Sequence, residues 1–207
     1  MLGFSTRGKL EMIHRYSKKL AGIYAARGII LKEDEEIYSY GLEILMSTVF
    51  TITVLLIAGL ILHKGVETLV LLLVYCPIRT FAGGYHTDSN LKCISAFILL
   101  YFLIISIYTG LSGTEMPNGY MILVPVYICN VIILMLAPVE SIENPLPYIR
   151  KKGMKRKAFY LTFIYTAVIT YIELLGTYTN FALLGSIAII WVTTLVVIGK
   201  IKYRIKR

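Results

Sequence analysis

The sequence predicts an all-α polytopic membrane protein: six transmembrane helices preceded by an amphipathic interfacial helix, with both termini in the cytoplasm. Three observations predict it. Apolar residues make up 57% of the 207 and charged residues only 16%, a balance too greasy for a soluble domain of this length. The apolar residues gather in six runs that each approach the ~20 needed to cross a bilayer. The basic residues collect in alternate gaps between those runs, as the positive-inside rule requires of cytoplasmic segments.

The first 41 residues form a cytoplasmic segment of their own. Leu10, Ile13, Leu20, Ile23 and Tyr24 recur at roughly helical spacing between Lys9 and Ile30, with Arg15, Lys18 and Lys19 among them. This pattern predicts a basic amphipathic helix on the inner leaflet, which anchors the chain and sets its orientation. Glu33, Asp34, Glu35 and Glu36 follow, either as a polar break or as the acidic first turn of the next helix.

The spans are expected at 42–62, 66–81, 94–111, 119–139, 158–176 and 181–199, a single membrane domain covering 42–199. The second is the weakest, because Arg79 interrupts an apolar core that is clean only from Thr68 to Ile78. Length alone leaves it short, tilted or re-entrant. The charges decide for crossing. Seven basic residues precede Leu42, two lie at Arg79 and Lys92, six run from Arg150 to Lys157 and five follow from Lys200, which leaves only Lys64 of the 21. Six crossings put all but Lys64 on one side, and a failed second crossing would destroy that asymmetry. Residues 140–157 then form a basic cytoplasmic loop and 200–207 a basic cytoplasmic tail.

The net charge of +9 argues for this topology and against a nucleic-acid partner, since spans separate the basic clusters. The first apolar run begins too late for a secretory signal, so no cleaved leader is expected. Cys76, Cys93 and Cys129 are odd in number and set mostly in apolar surroundings. They suggest no disulfide framework and suit a reducing compartment. Gly3 to Leu10 has the spacing of a phosphate-binding loop, but Leu10 stands where Ser or Thr is needed and no strand precedes it.

One polar island breaks the apolar pattern: CPIRTFAGGYHTDSNLKC, Cys76 to Cys93. His86 and Cys93 are a natural nucleophile pair, in which imidazole takes the thiol proton and the thiolate attacks a carbonyl. On a continuous helix, seven residues would separate them by about 10.5 Å along the axis, too far for a hydrogen bond. The capping-rich run Thr87 to Asn90 supplies a break, with a helix starting at Ser89 or Asn90. Cys93 then falls in the first turn, where the helix dipole favours a thiolate and free N–H groups can stabilise an oxyanion. Gly83 and Gly84 permit a sharp turn before the histidine. Arg79 is suited to a substrate carboxylate or the developing oxyanion. By pattern alone other readings stay open: cysteine as packing, arginine reaching for headgroups, or zinc held by Cys76, His86 and Cys93 without an obvious fourth ligand. Signatures of metalloproteases and serine hydrolases are missing.

The stretch Arg79 to Cys93 resembles the signature of the AgrB family, the accessory gene regulator proteins of bacterial peptide quorum sensing: an Arg, then Gly-Gly-Tyr-His, then a Cys seven residues after the His. Ala137 to Pro147, APVESIENPLP, resembles a second family segment after the fourth span. Length, span number and basic N-terminus agree, so the resemblance covers nearly the whole chain. It implies a cysteine endopeptidase of the bacterial cell membrane that processes an AgrD-like propeptide at its cytoplasmic face, without a metal or other cofactor and as a homodimer. Cys93 matches the family's nucleophile, His86 its general base, and Arg79 and Gly84 positions needed for activity. Thr87 departs from the family, which more often has a small apolar residue there. Asp88 either orients His86 or caps the helix. Lys155, Arg156 and Lys157 either set topology or dock the acidic tail of the propeptide. The rival functions are a peptide exporter without covalent chemistry and a structural partner of a sensor kinase. An exporter would predict internal repeats and a polar site at the membrane midplane, and neither is evident.

Overall fold

A computed structural model describes residues 3–84, 90–112, 119–139 and 148–205. The described residues form seven α-helices and no strand: α1 (Gly3–Ala26), α2 (Glu35–Ile61), α3 (Gly65–Ala82), α4 (Asn90–Ser112), α5 (Gly119–Leu136), α6 (Tyr148–Leu175) and α7 (Thr179–Ile205). Two compact units are distinguished. One comprises Met1–Ala58 with Thr87–Leu99, the other Gly59–His86 with Leu100–Arg207.

In the first unit, α1 buries a small face. Ser17 and Ala21, one turn apart, are fully buried, and a Cβ on Gly22 would stand 3.4 Å from the Glu35 carboxylate at the start of α2. Tyr16, Ile23 and Tyr24 lie on the exposed surface of α1 together with Arg15, Lys18 and Lys19. An apolar stripe flanked by cations and left open is what an interfacial helix presents to a leaflet. The helix ends in a Schellman motif. Gly28 adopts φ +69°, its N–H donates to Ala25 O and the Ile29 N–H donates to Tyr24 O at 3.0 Å. The acidic run does both things expected of it: residues Lys32–Asp34 make one 3₁₀ turn, and Glu35 and Glu36 open α2.

Along α2 the hydroxyls turn inward on their own helix. Thr48, Thr51 and Thr53 donate to the carbonyls four residues back at 2.8–2.9 Å. In hydrocarbon no water would satisfy those groups, so local back-bonding is how a threonine-bearing span remains compatible with lipid.

In the second unit α7 is the most buried helix and packs on α3, α5 and α6. Its inward residues include Leu184, Ala188, Ile189, Val192 and Val196, all fully buried. Gly185 lets α6 approach, since a Cβ there would lie 3.2 Å from Ile169 Cδ1. Polar pairs join neighbouring helices: Thr68 to Tyr101 at 2.7 Å, Tyr127 to Thr170 at 3.0 Å, and Asn130 Nδ2 to Thr166 Oγ1 at 2.6 Å. Outward residues such as Leu73, Met135 and Leu174 are apolar and strongly exposed. This inversion of the soluble pattern suits a lipid surround.

Among the described residues, five helices are long and apolar enough to cross a membrane: Lys32–Ile61, Gly65–Ala82, Ile94–Ser112, Lys151–Leu175 and Thr179–Lys202, while Met121–Leu136 is apolar but shorter. The weak second span is a continuous helix that runs through Arg79 to Ala82. The expected basic loop 140–157 is corrected over its second half. Residues from Tyr148 onward are helical, so the cations from Arg150 to Lys157 ride on the first turns of α6. Lys, Arg and Met are good helix formers, and the single Gly153 does not interrupt them.

Candidate active site

Pro77 sits inside α3 and has no N–H to give to the carbonyl of Leu73. The Tyr165 hydroxyl of α6 donates to that carbonyl at 2.7 Å. The helix therefore passes its proline without an orphaned acceptor and delivers Arg79 half a turn later.

The end of α3 is organised by backbone groups. Gly83 takes φ +69° and ψ −141°, and its N–H closes the last helical bond to Arg79 O at 3.1 Å. The Arg79 guanidinium folds back and donates through Nη1 to the Gly83 carbonyl. Val139, three residues beyond α5, donates its N–H to Ala82 O at 3.0 Å and forms an isolated parallel bridge with Gly83. Gly84 follows at φ +124°. Both glycines are required sterically as well as by φ. A Cβ on Gly83 would strike the Val139 carbonyl, and one on Gly84 would strike the Arg79 guanidinium and stand 3.0 Å from Leu195 O of α7. On the preceding turn, Lys157 Nζ of α6 lies 5.3 Å from the centre of the Phe81 ring, within cation–π range.

Arg79, Gly83, Gly84 and Lys157 thus gather at one end of the second unit. Lys155 and Arg156 are exposed on other faces of the same helical turn. His86 and Asp88 lie outside the described residues, as do Asn144, Pro145 and Pro147. For Cys93 the backbone alone is described: it lies on α4, whose described residues run from Asn90, and the start expected at Ser89 or Asn90 falls at the edge of the described residues. Cys76 lies in α3 as a half-buried free thiol, and Cys129 in α5 as a buried one. The roles of Val139, Leu195 and Tyr165 escape sequence reasoning. Their only signals were Pro77, which demands a partner for Leu73 O, and the motif around Val139, whose purpose was unspecified.

The family model described as accessory gene regulator B matches residues 17–196. The chain belongs to the AgrB family. That match contains the Arg79 to Cys93 signature and the Ala137 to Pro147 segment. Putative AgrB-like protein 2 of Clostridium perfringens strain 13 is 30% identical over 152 residues, 70% of each chain. The accessory gene regulator protein B of Staphylococcus saprophyticus is 25% identical over 149 residues, 72% of this chain and 76% of the relative. A putative AgrB-like protein of Listeria monocytogenes is 28% identical over 145 residues, 66% of this chain and 67% of the relative. No solved structure matches. With its apolar helices, this AgrB-family chain is a multi-pass membrane protein.

Proposed function

We propose that the protein is a membrane cysteine endopeptidase of a quorum-sensing system, cutting the C-terminal tail from an AgrD-like propeptide at the cytoplasmic face of the bacterial cell membrane. The observation that carries this reading is the family match across residues 17–196, with Arg79, Gly83, Gly84, His86 and Cys93 present at signature spacing. With α4 starting at Ser89 or Asn90, Cys93 falls in its first turn, near free N–H groups and the positive end of the helix dipole.

His86 removes the proton from Cys93, and the thiolate adds to the carbonyl carbon after the future signal peptide. Collapse of the tetrahedral adduct breaks the C–N bond. His86 returns the proton to the departing amine, and the tail leaves. The remaining thioester keeps the acyl group activated. A Cys or Ser side chain within the peptide attacks it, the Cys93 thiolate departs and recovers a proton, and a thiolactone or lactone ring closes. Scarce water favours this transfer over hydrolysis. Asp88 orients His86 or caps α4, and Lys155, Arg156 and Lys157 receive the acidic tail. Six crossings, cytoplasmic termini and a homodimer complete the reading.

Co-expression with the propeptide tests it. Cys93→Ser should abolish tail release while the protein still accumulates in the membrane. Unchanged cleavage would sink the nucleophile and leave the exporter, which needs no thiol.

A further inference from the structure

We infer that the main chain of Val139 is a positioning element for the active site: its amide holds the Gly83–Gly84 turn, which directly precedes the signature histidine in sequence. The inference rests on the endopeptidase reading and extends it to a segment that reading leaves without a role.

The physical need is visible at the end of α3. The last carbonyls of a helix have no partner within it. Ala82 O is one of them, and Ala82 is fully buried, so water is a poor substitute. The Val139 N–H fills the vacancy at 3.0 Å, from a residue itself only 5% exposed. Gly83 then has its N–H on Arg79 O and its carbonyl on the Arg79 guanidinium. Three consecutive main-chain groups at the turn are consequently held by two residues, Arg79 and Val139. Arg79 belongs to the same helix and travels with it. Val139 comes from the far end of α5, and it is the external reference that fixes where the turn points. The absence of a side chain at Gly83 follows, since a Cβ would lie 3.1 Å from Val139 N and closer still to Val139 O.

A residue acting in this way should affect the chemical step more than the encounter with substrate. Val139→Pro removes the donor alone among the polar groups. At unchanged membrane abundance, it should lower the saturated rate of tail release by about 100-fold, the scale of a misplaced catalytic group. KM should stay within about twofold, because uniform binding is untouched. Val139→Ala and Val139→Ile keep the amide and should recover most of the rate. Hydrogen exchange in detergent gives a readout independent of activity: amides at 80–84 should exchange faster in Val139→Pro and at the wild-type rate in Val139→Ala. Wild-type turnover or unchanged exchange in Val139→Pro would overturn the inference, as would an equal loss in Val139→Ala. If Val139→Pro fails to accumulate, Gly83→Ala carries the test through the same exchange measurement, with wild-type protection counting against the brace. A wild-type protein that leaves the propeptide uncut would instead defeat the endopeptidase reading, while exchange would still decide the brace.

Discussion

At the residue scale, two intramembrane polar groups illustrate opposite energetics. Tyr165 satisfies a carbonyl that Pro77 has freed, from within an apolar helix long enough to cross a membrane, where water is a scarce substitute. Tyr165→Phe should therefore leave Leu73 O unpaired and cost about 1 kcal/mol, within the range measured for interhelical hydrogen bonds in membranes. Asn130 differs. Its Nδ2 donates to Val126 O and Thr166 Oγ1, but its buried Oδ1 has no partner. Thr166 already donates to Thr162 O, so removing Asn130 orphans no donor. Asn130→Leu gives up both Nδ2 hydrogen bonds but removes one unsatisfied acceptor, and should lie within about 1 kcal/mol of neutral. Reversible unfolding in mixed micelles compares the two variants directly. A larger loss for Asn130→Leu than for Tyr165→Phe would overturn this ordering.

At the element scale, the first turns of α6 recast the basic cluster. As a loop, its cations would be interchangeable. As a helix, consecutive residues point about 100° apart, and Lys157 alone of the three docking candidates is placed against α3, over Phe81. If the cluster receives an acidic tail, Lys157→Ala should raise KM several-fold at low salt, with a smaller effect for Lys155→Ala or Arg156→Ala. The difference should fade as ionic strength shortens the screening length below ~8 Å. Equal effects from all three would favour a diffuse field over a placed cation. The helical propensity of this run was legible in its residue types. The expectation of a loop came from treating charge as a boundary, whereas a helix can continue beyond the apolar core of a membrane.

At the scale of the whole molecule, the distribution of basic residues and the helix lengths bear on the same question. Among the described residues five helices meet the length of a span and the apolar part of α5 is shorter, yet six crossings keep every basic residue except Lys64 on one side. Reporter fusions after Lys64, within 113–118 and after Gly176 should all report the outer face. Fusions at 140–147 and at either terminus should report the cytoplasm. An outward report at 140–147 would exclude the six-span arrangement, because it would mean an odd number of crossings before that segment.

Much of this protein was determined by the sequence alone. Apolar run length prescribes spans because unsatisfied backbone is intolerable in lipid, and helix satisfies it locally. The polar island was legible because charge and glycine are costly there and stand out against leucine and isoleucine. What only the tertiary structure decided is how the end of α3 is held. Tyr165 lies 92 positions from the carbonyl it satisfies, and Val139 meets Ala82 across all of α4 and α5. A backbone amide carries no residue-specific signal, so its partner is invisible until the helices pack. The arginine, the glycines and the motif around Val139 could be read as separate features of the sequence. Packing makes them one turn.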